Sequence, residues 1–245
     1  MILKCASRTG GDPIPTQITG PYIVLGEGAR DTAFLEHLCL IRNIVGLAYA
    51  WVGGNKGFGS YLQGMYAQPR FGECKSILLM SDIDESADVS FALIKEQLKD
   101  AGFPCPSRPL EIAHKQGYPF LGILMLPYPA PTQDTRGCLE TLLIPAMDSA
   151  NPMQAACVDQ MLNCVGVASW PKKSSQDKVK VRCLISAVWS DDPMYGLQLC
   201  FPPEKNLIPL DHAAFNEVAL ILQHFQSWSS SNIKDWTDWK KSAGV

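Results

Sequence analysis

The stretch from Tyr22 to Asp31 reads YIVLGEGARD, and it decides the expected fold. Its first four residues are apolar and typical of a buried β-strand, which then breaks at Gly26. Glu27 follows between two glycines, and a helical pattern begins near Asp31. A strand that passes through a short glycine turn into a helix is the first half of a βαβ unit.

A second apolar strand ends in acidic residues in the same way. The run Ile77 to Met80 is followed closely by Asp82 and Asp84. The carboxyl ends of neighbouring parallel strands meet in the crevice where open α/β sheets bind ligands. Carboxylates gathered there repel one another unless a cation joins them, and oxygen ligands suit Mg²⁺ or Mn²⁺. Asp82 and Asp84 are two residues apart, so in a straight strand both point to one face and reach the same metal.

Each of these acids also has a simpler interpretation. Glu27 between two glycines is compatible with an exposed turn residue, and Asp82 and Asp84 with turn or capping residues of a helix that starts near Ser86. The ordered pair of acidic strand ends favours the metal site.

Strands and helices alternate along the chain. Apolar patterns predict strands at 22–25, 47–52, 76–80, 120–126 and 179–188. Helical patterns cover 31–44, 58–67, 86–101, 137–147, 153–165, 211–228 and 233–241. This order predicts an α/β fold with a mostly parallel central sheet flanked by helices. No segment has the composition of a domain linker, so we expect one domain over 1–245, with a core at about 20–145 and a C-terminal part, 146–245, packed on it.

The composition excludes several classes of protein. Of the 245 residues 47% are hydrophobic and 18% charged, which excludes global disorder. The net charge of −3 argues against a generally basic nucleic-acid-binding surface, although a local basic groove is compatible with it. The nine scattered cysteines form no CxxC pair and indicate reduced thiols rather than zinc or disulfide sites. Neither a signal peptide nor a membrane span is evident, and we expect a cytoplasmic protein with no membrane partner.

Several short elements, taken in order, carry a family resemblance. They are Gly26-Glu27-Gly28 with Asp31 and Phe34-Leu35, then Gly53-Gly54-Asn55, Ser81-Asp82-Ile83-Asp84, Gly137-Cys138-Leu139-Glu140 and Lys178. Together they resemble the Toprim domain of topoisomerases, bacterial primases, small nucleases and overcoming-lysogenization-defect nucleases, and most closely the small stand-alone proteins of the DUF3226 type. The resemblance implies a Toprim-like sheet with a family-specific C-terminal extension, and Mg²⁺- or Mn²⁺-dependent phosphodiester chemistry on DNA or RNA.

The resemblance also implies roles for individual residues. Glu27 corresponds to the general acid/base or a metal-touching carboxylate, and Asp82 and Asp84 correspond to metal ligands. Glu140 is a candidate for a second metal or for the nucleophilic water, or else an ordinary acid on an amphipathic helix. Lys178, at the start of the predicted strand, is the candidate cation for the scissile phosphate.

Three further positions remain open between a functional and a local role. Asp31 either lies in the site or N-caps its helix. Asp88 either contacts the metal ligands without binding the metal itself or is a solvated acid in the first turn of its helix. The segment with Gly54, Asn55 and Lys56 opens a helix and either binds a substrate phosphate or forms a tight turn; it is not a Walker A motif.

Three hypotheses about function follow. The first is a Mg²⁺-dependent nuclease, as a phage-defence effector with a partner ATPase, because no ATPase segment is evident in these residues. The second is a non-catalytic nucleotide- or nucleic-acid-binding module. The third is a structural subunit, supported by Trp228, Trp236 and Trp239, whose clustering suggests a core or dimer contact in a homo-oligomer.

Overall fold

The computed structural model describes residues 5–6, 14–15, 18, 20–128, 135–189, 196–202, 204 and 207–230. The strands are β1 (Cys5–Ala6), β2 (Ile14–Pro15), β3 (Tyr22–Gly26), β4 (Ala48–Trp51), β5 (Ser76–Asp82) and β6 (Phe120–Leu126). The helices are α1 (Ala29–Ile41), α2 (Phe58–Tyr66), α3 (Ala87–Asp100), α4 (Leu139–Ala150), α5 (Pro152–Cys164), α6 (Lys173–Val188) and α7 (Asn216–Phe225).

Four strands form one all-parallel sheet in the order β4-β3-β5-β6, while β1 and β2 pair antiparallel apart from it. The seven helices of the described residues flank this central sheet, and the predicted α/β class is confirmed. From β3 the chain crosses to β4 on one side and returns to β5 on the other. The carboxyl ends of β3 and β5 therefore border the switch point of the sheet, where ligand sites form in open α/β folds.

Apolar residues cover both faces of the sheet, which explains why its strands are continuous apolar runs rather than alternating ones. Leu25 and Leu79 belong to a core that contains residues of α2 and α3. Val24 and Leu78 belong to a second core on the opposite face, with residues of α1 and α4 to α7. The C-terminal helices therefore pack on the same face as α1, directly over the strands that border the switch point.

Helix α1 begins two residues earlier than predicted. Gly28 is its N-cap residue, so Asp31 is not the N-cap, but its side chain takes part in capping the helix from the first turn. Asp31 is the third helical residue, and its Oδ2 accepts a hydrogen bond from the Gly28 N–H at 2.7 Å. The predicted apolar face is confirmed, since Phe34 and Leu35 are fully buried.

The predicted strand at 179–188 is wrong, because these residues form the C-terminal part of α6. Its valines have high β-propensity, but tertiary packing overrides that preference. The buried positions Asp177, Val181 and Leu184 recur at helical spacing against the sheet-covering helices. Lys178 and Lys180 therefore lie on a helix, where residues two apart point in different directions.

The predicted helix at 211–228 is interrupted. Its central part is α7, with short 3₁₀ turns at Ala213–Phe215 and Trp228–Ser230. The indole of Trp228 is buried against Phe225 and supports the core rather than an exposed contact. The predicted final helix, with Trp236 and Trp239, lies outside the described residues. None of the helices in the described ranges is long and apolar enough to cross a membrane.

Candidate metal centre at the switch point of the sheet

A pocket of about 460 Å³ opens at the carboxyl ends of β3 and β5. It is lined by Glu27, Gly28, Ala29, Arg30, Asp31, Gly53, Gly54, Asp82, Leu139, Glu140, Lys178, Gly196 and Gln198. Four of these residues carry carboxylates and two are cations, so the pocket has a surplus of two negative charges when all of them are ionised. A concave site with convergent charged groups at a switch point is the expected place for ligand chemistry.

Glu27 follows β3 and is fixed by the end of the neighbouring strand. Its Oε1 accepts hydrogen bonds from the Ser81 hydroxyl and, at 3.1 Å, from the Asp82 N–H. Burial raises the pKa of Glu27, although these two hydrogen bonds act against the rise and the charge of Asp84 adds to it. A carboxyl group held in place with a raised pKa is better suited to proton exchange than one at its ordinary pKa.

Asp82 ends β5 and reaches across to the start of α4. Its Oδ1 accepts a hydrogen bond from the Leu139 N–H at 2.8 Å. It does not cap the helix that follows β5, because the Ser86 hydroxyl accepts from the Val89 N–H and caps α3 instead. Burial, together with the carboxylates of Asp31, Glu27 and Glu140, raises the pKa of Asp82 well above its usual range.

Asp31 enters the pocket because Gly26 lacks a side chain. A β-carbon at Gly26 would come within 2.7 Å of the Asp31 β-carbon, so the glycine permits the close approach of α1 to β3. Burial first, and the charges of Glu27 and Glu140 with it, raise the pKa of Asp31 to about 7. Asp31 therefore lines the pocket and also takes part in the cap of α1.

Glu140 is the second residue of α4 and is only 4% exposed. Its carboxylate faces the pocket, and its ion pair with Arg30 is long, with 3.7 Å between Oε1 and the guanidinium nitrogen. Arg30 is itself 46% exposed at the pocket mouth. The structure therefore brings Glu140 together with Glu27, Asp31 and Asp82 rather than leaving it on a solvated helix face.

Lys178 reaches the pocket from α6. Burial alone would lower the pKa of its ammonium group, but Cys138, Glu140, Asp82 and Asp84 nearby raise the pKa above the usual value. Lys178 therefore remains a cation among carboxylates. Two residues on, Lys180 lies away from the pocket and pairs with Asp148 at 2.9 Å and Asp159 at 2.8 Å.

Asp84 and Asp88 are not among the residues that line this pocket. Asp84 has a left-handed backbone, with φ 54°, so the two-residue alternation of the strand no longer holds there. Its backbone exchanges two hydrogen bonds with Gly137: the Asp84 N–H donates at 2.7 Å and the Gly137 N–H donates back at 2.8 Å. Asp88 is exposed on α3 beside Lys95, where it borders a separate cleft.

The glycine segment between β4 and α2 contributes backbone rather than side chains. Gly54 lines the pocket, and its N–H donates to the Glu27 carbonyl at 2.8 Å. Asn55 and Lys56 are not among the lining residues. The Asn55 carbonyl accepts from Gln97 at 2.8 Å, and Lys56 is exposed. This segment therefore forms a turn that fixes the loop of Glu27.

Sequence reasoning missed four residues that shape the site. Arg30 lies inside the glycine-rich motif and was detectable from its place between Gly28 and Asp31. Ser81 precedes the acidic pair and holds Glu27. The Cys138 side chain offers a sulfur that lies within 4.8 Å of carboxylate oxygens of Asp82 and Glu140. The fourth is Gln198, which reaches the pocket from a distant part of the chain and belongs to no motif.

The donor set fits a divalent cation. Three of the pocket carboxyl groups, Glu27, Asp31 and Asp82, have raised pKa values because they are buried close together. A bound cation offsets that repulsion and stabilises their ionised forms. Asp82 and Glu140 lie close enough to share one ion, and Glu27 accepts a hydrogen bond from the Asp82 N–H.

Comparison with known proteins gives one match. A family model described as "Protein of unknown function (DUF3226)" matches residues 21–228, which include every described residue of the pocket. None of the curated proteins matches, and neither does any solved structure. Because the match covers most of the chain, from the residue before β3 to Trp228, this protein belongs to the DUF3226 family.

Proposed function

We propose that the protein is a Toprim-type, divalent-cation-dependent nuclease that hydrolyses phosphodiester bonds in nucleic acid. The observation that carries the proposal is the gathering of Glu27, Asp82 and Glu140 with Lys178 around one pocket at the switch point of the sheet. These four residues come from four of the elements on which the sequence resemblance rests. Mg²⁺ or Mn²⁺, when bound, polarises a phosphoryl oxygen and lowers the pKa of a bound water.

The chain's own residues supply the remaining chemistry. In this proposal Asp82 and Glu140 hold the cation. Glu27, whose pKa is raised by burial, exchanges a proton with the attacking water or the leaving oxygen. Lys178 and the half-exposed Arg30 contact the non-bridging oxygens of the phosphate and hold it in line.

The pocket offers few positive charges to nucleic acid. Its two cations face four carboxylates, and the whole chain carries a net charge of −3. Non-specific affinity for nucleic acid comes mainly from lysine and arginine. We therefore propose that a partner, such as an ATPase, delivers the DNA or RNA to this site.

Purified protein, assayed with Mg²⁺, Mn²⁺, Zn²⁺ or Co²⁺ on labelled DNA and RNA, tests the proposal. The variant Asp82→Asn should lose activity by about 10³-fold because it removes a carboxylate where the cation and the phosphate charge meet. Its amide oxygen still accepts the Leu139 N–H, so the fold should be kept. Asp88→Asn on the exposed turn of α3 is the matched control and should keep full activity. Equal activity of the two variants would contradict the proposal.

A non-catalytic module is the second candidate, because a pocket of about 460 Å³ is of the size that holds one small ligand. It predicts that calorimetry detects tight binding of a mononucleotide with a divalent cation, without turnover under any metal. Nuclease activity that is lost in Asp82→Asn excludes this candidate.

A further inference from the structure

We infer that Cys138 is a ligand of the cation, so that the pocket selects a thiophilic divalent ion of the zinc class over Mg²⁺. One ligand atom each of Asp82, Cys138 and Glu140 lies within 4.8 Å of the other two. The inference rests on the proposed function, because Asp82 and Glu140 are ligands of the cation in both. It concerns which ion binds, and that can be measured without any nuclease assay.

The sulfur is placed by the start of α4. Cys138 is the N-cap of this helix and is fully buried, with Glu140 two residues later in the first turn. Its own N–H donates to the Thr141 hydroxyl at 2.9 Å, and that hydroxyl donates to Asp177 Oδ2 at 2.5 Å. Together with the Leu139 N–H on Asp82, these hydrogen bonds fix the start of α4 and the Asp82 carboxylate before any ion arrives.

The Glu140 carboxylate is an independent indication of a cation. The residue is 4% exposed, and its ion pair with the Arg30 guanidinium is long, at 3.7 Å, while the Lys178 ammonium and the Cys138 sulfur lie nearby. A buried carboxylate is costly unless a charge or several hydrogen bonds compensate it. An ion bound between Cys138 and Asp82 supplies that compensation at the place where Glu140 already points.

The chemistry of the donors decides the class of ion. Mg²⁺ binds oxygen ligands in a strict octahedron, whereas Zn²⁺ and Co²⁺ accept thiolate, carboxylate and imidazole together. Three protein ligands with an open position form the usual arrangement of a catalytic zinc site. On ligation the Cys138 thiol releases its proton to solvent, and the resulting thiolate binds the ion. This differs from a zinc motif built from paired cysteines, which the sequence lacks.

Titration of the whole protein with Co²⁺ tests the inference by absorption spectroscopy. The exposed Cys157 and Cys164 are first replaced by serine to remove competing thiols. One equivalent of Co²⁺ should give a near-ultraviolet charge-transfer band from the thiolate. Zn²⁺ should abolish the band, whereas a large excess of Mg²⁺ should leave it in place.

Cys138→Ser should lose the band and weaken Zn²⁺ binding by at least about 10-fold, with Mg²⁺ binding changed less than twofold. Cys74→Ser is the matched control, since Cys74 is a buried thiol of the opposite core and should keep the band. Circular dichroism verifies folding, and Cys138→Ala serves as a second variant. A band that survives in both Cys138 variants, or Co²⁺ binding by the parent without a band, overturns the inference.

The two proposals fail in different ways. A Cys138-dependent band in a protein without nuclease activity supports the ligand and contradicts the nuclease. Mg²⁺-dependent cleavage that needs Asp82 but is unchanged in Cys138→Ser, with no cobalt band, contradicts the ligand and supports the nuclease.

Discussion

Two groups of charged side chains meet helix α6, and they differ in how closely their opposite charges are paired. Lys180 lies 2.9 Å from Asp148 and 2.8 Å from Asp159, and so ties α6 to α4 and α5. In the pocket, four carboxylates gather, and the ion pair recorded there in the described part of the chain measures 3.7 Å. The first arrangement stabilises the packing of these helices. The second keeps negative charge available for a ligand, which is typical of a functional site.

The largest effect expected from this contrast separates two lysines on one helix. Lys178→Ala should reduce nuclease activity by about 100-fold, because it removes a cation from the phosphate site. Lys180→Ala should keep the activity but lower the free energy of unfolding by about 1 kcal/mol, because two partly exposed ion pairs are lost. Cleavage rates and urea unfolding of the two variants measure this difference.

The contrast between the two groups is contradicted if nuclease activity depends on Lys180 rather than on Lys178. Full activity in Lys178→Ala would remove Lys178 from the site, and loss of activity in a well-folded Lys180→Ala would show that the paired cluster has a functional role. Lys180→Arg is the matched control, since it keeps the charge between Asp148 and Asp159.

A smaller effect is expected on the pH dependence of stability. The pKa values of Glu27, Asp31 and Asp82 are raised in the folded protein, that of Asp31 to about 7. The folded state therefore binds more protons than the unfolded state above pH 4, so stability should fall as pH rises towards 7. Without divalent cations, thermal unfolding should occur roughly 5 °C lower at pH 8 than at pH 5.

Divalent cations should reverse this loss, since they bind the ionised carboxylates of the folded state. Differential scanning calorimetry at both pH values, with and without Mn²⁺ or Zn²⁺, measures the effect. Asp31→Asn keeps an acceptor for the Gly28 N–H and should flatten the pH dependence. A melting temperature that rises from pH 5 to pH 8 in the absence of cations would contradict the charge surplus of the pocket.

The smallest effect is expected at Asp84. Its charge acts on Glu27 and Lys178 from outside the pocket lining, so Asp84→Asn should change activity by no more than about threefold. Asparagine tolerates the left-handed backbone at this position, so folding should be unaffected. Cleavage kinetics of Asp84→Asn and Asp82→Asn, measured side by side, provide the comparison. Equal losses of activity in the two variants would show that Asp84 is a direct metal ligand.

Much of the fold could be predicted from the chain because local and global signals agree. The strands β3, β5 and β6 are apolar runs that end in turn residues, and α1 and α3 have apolar faces at helical spacing. Helix α6 was misread because its valines favour strands, and because its buried positions include the polar Ser174 and Asp177. The packing partners that settle its conformation are distant in sequence.

The site was predictable where topology alone brings residues together. Glu27 and Asp82 end adjacent parallel strands, so their proximity follows from the sheet order. Asp84 was predicted beside them on strand alternation, which a single left-handed residue breaks. Gln198 could not be found, because nothing near it in sequence indicates that the chain returns to the pocket there.

The backbone bridge between Asp84 and Gly137 has a consequence for how this family can change. The chain leaves the sheet at Leu126, whose carbonyl accepts a hydrogen bond from the Ile83 N–H at 2.8 Å. It is held again at Gly137 by the two backbone hydrogen bonds with Asp84. Both ends of the intervening segment, 127–136, are thus held by the residues after β5. A longer connection between these two held points costs little additional free energy of chain closure, so its length can change without displacing α4 from β5. The same segment is a natural place to insert a label or a recognition sequence beside an intact site.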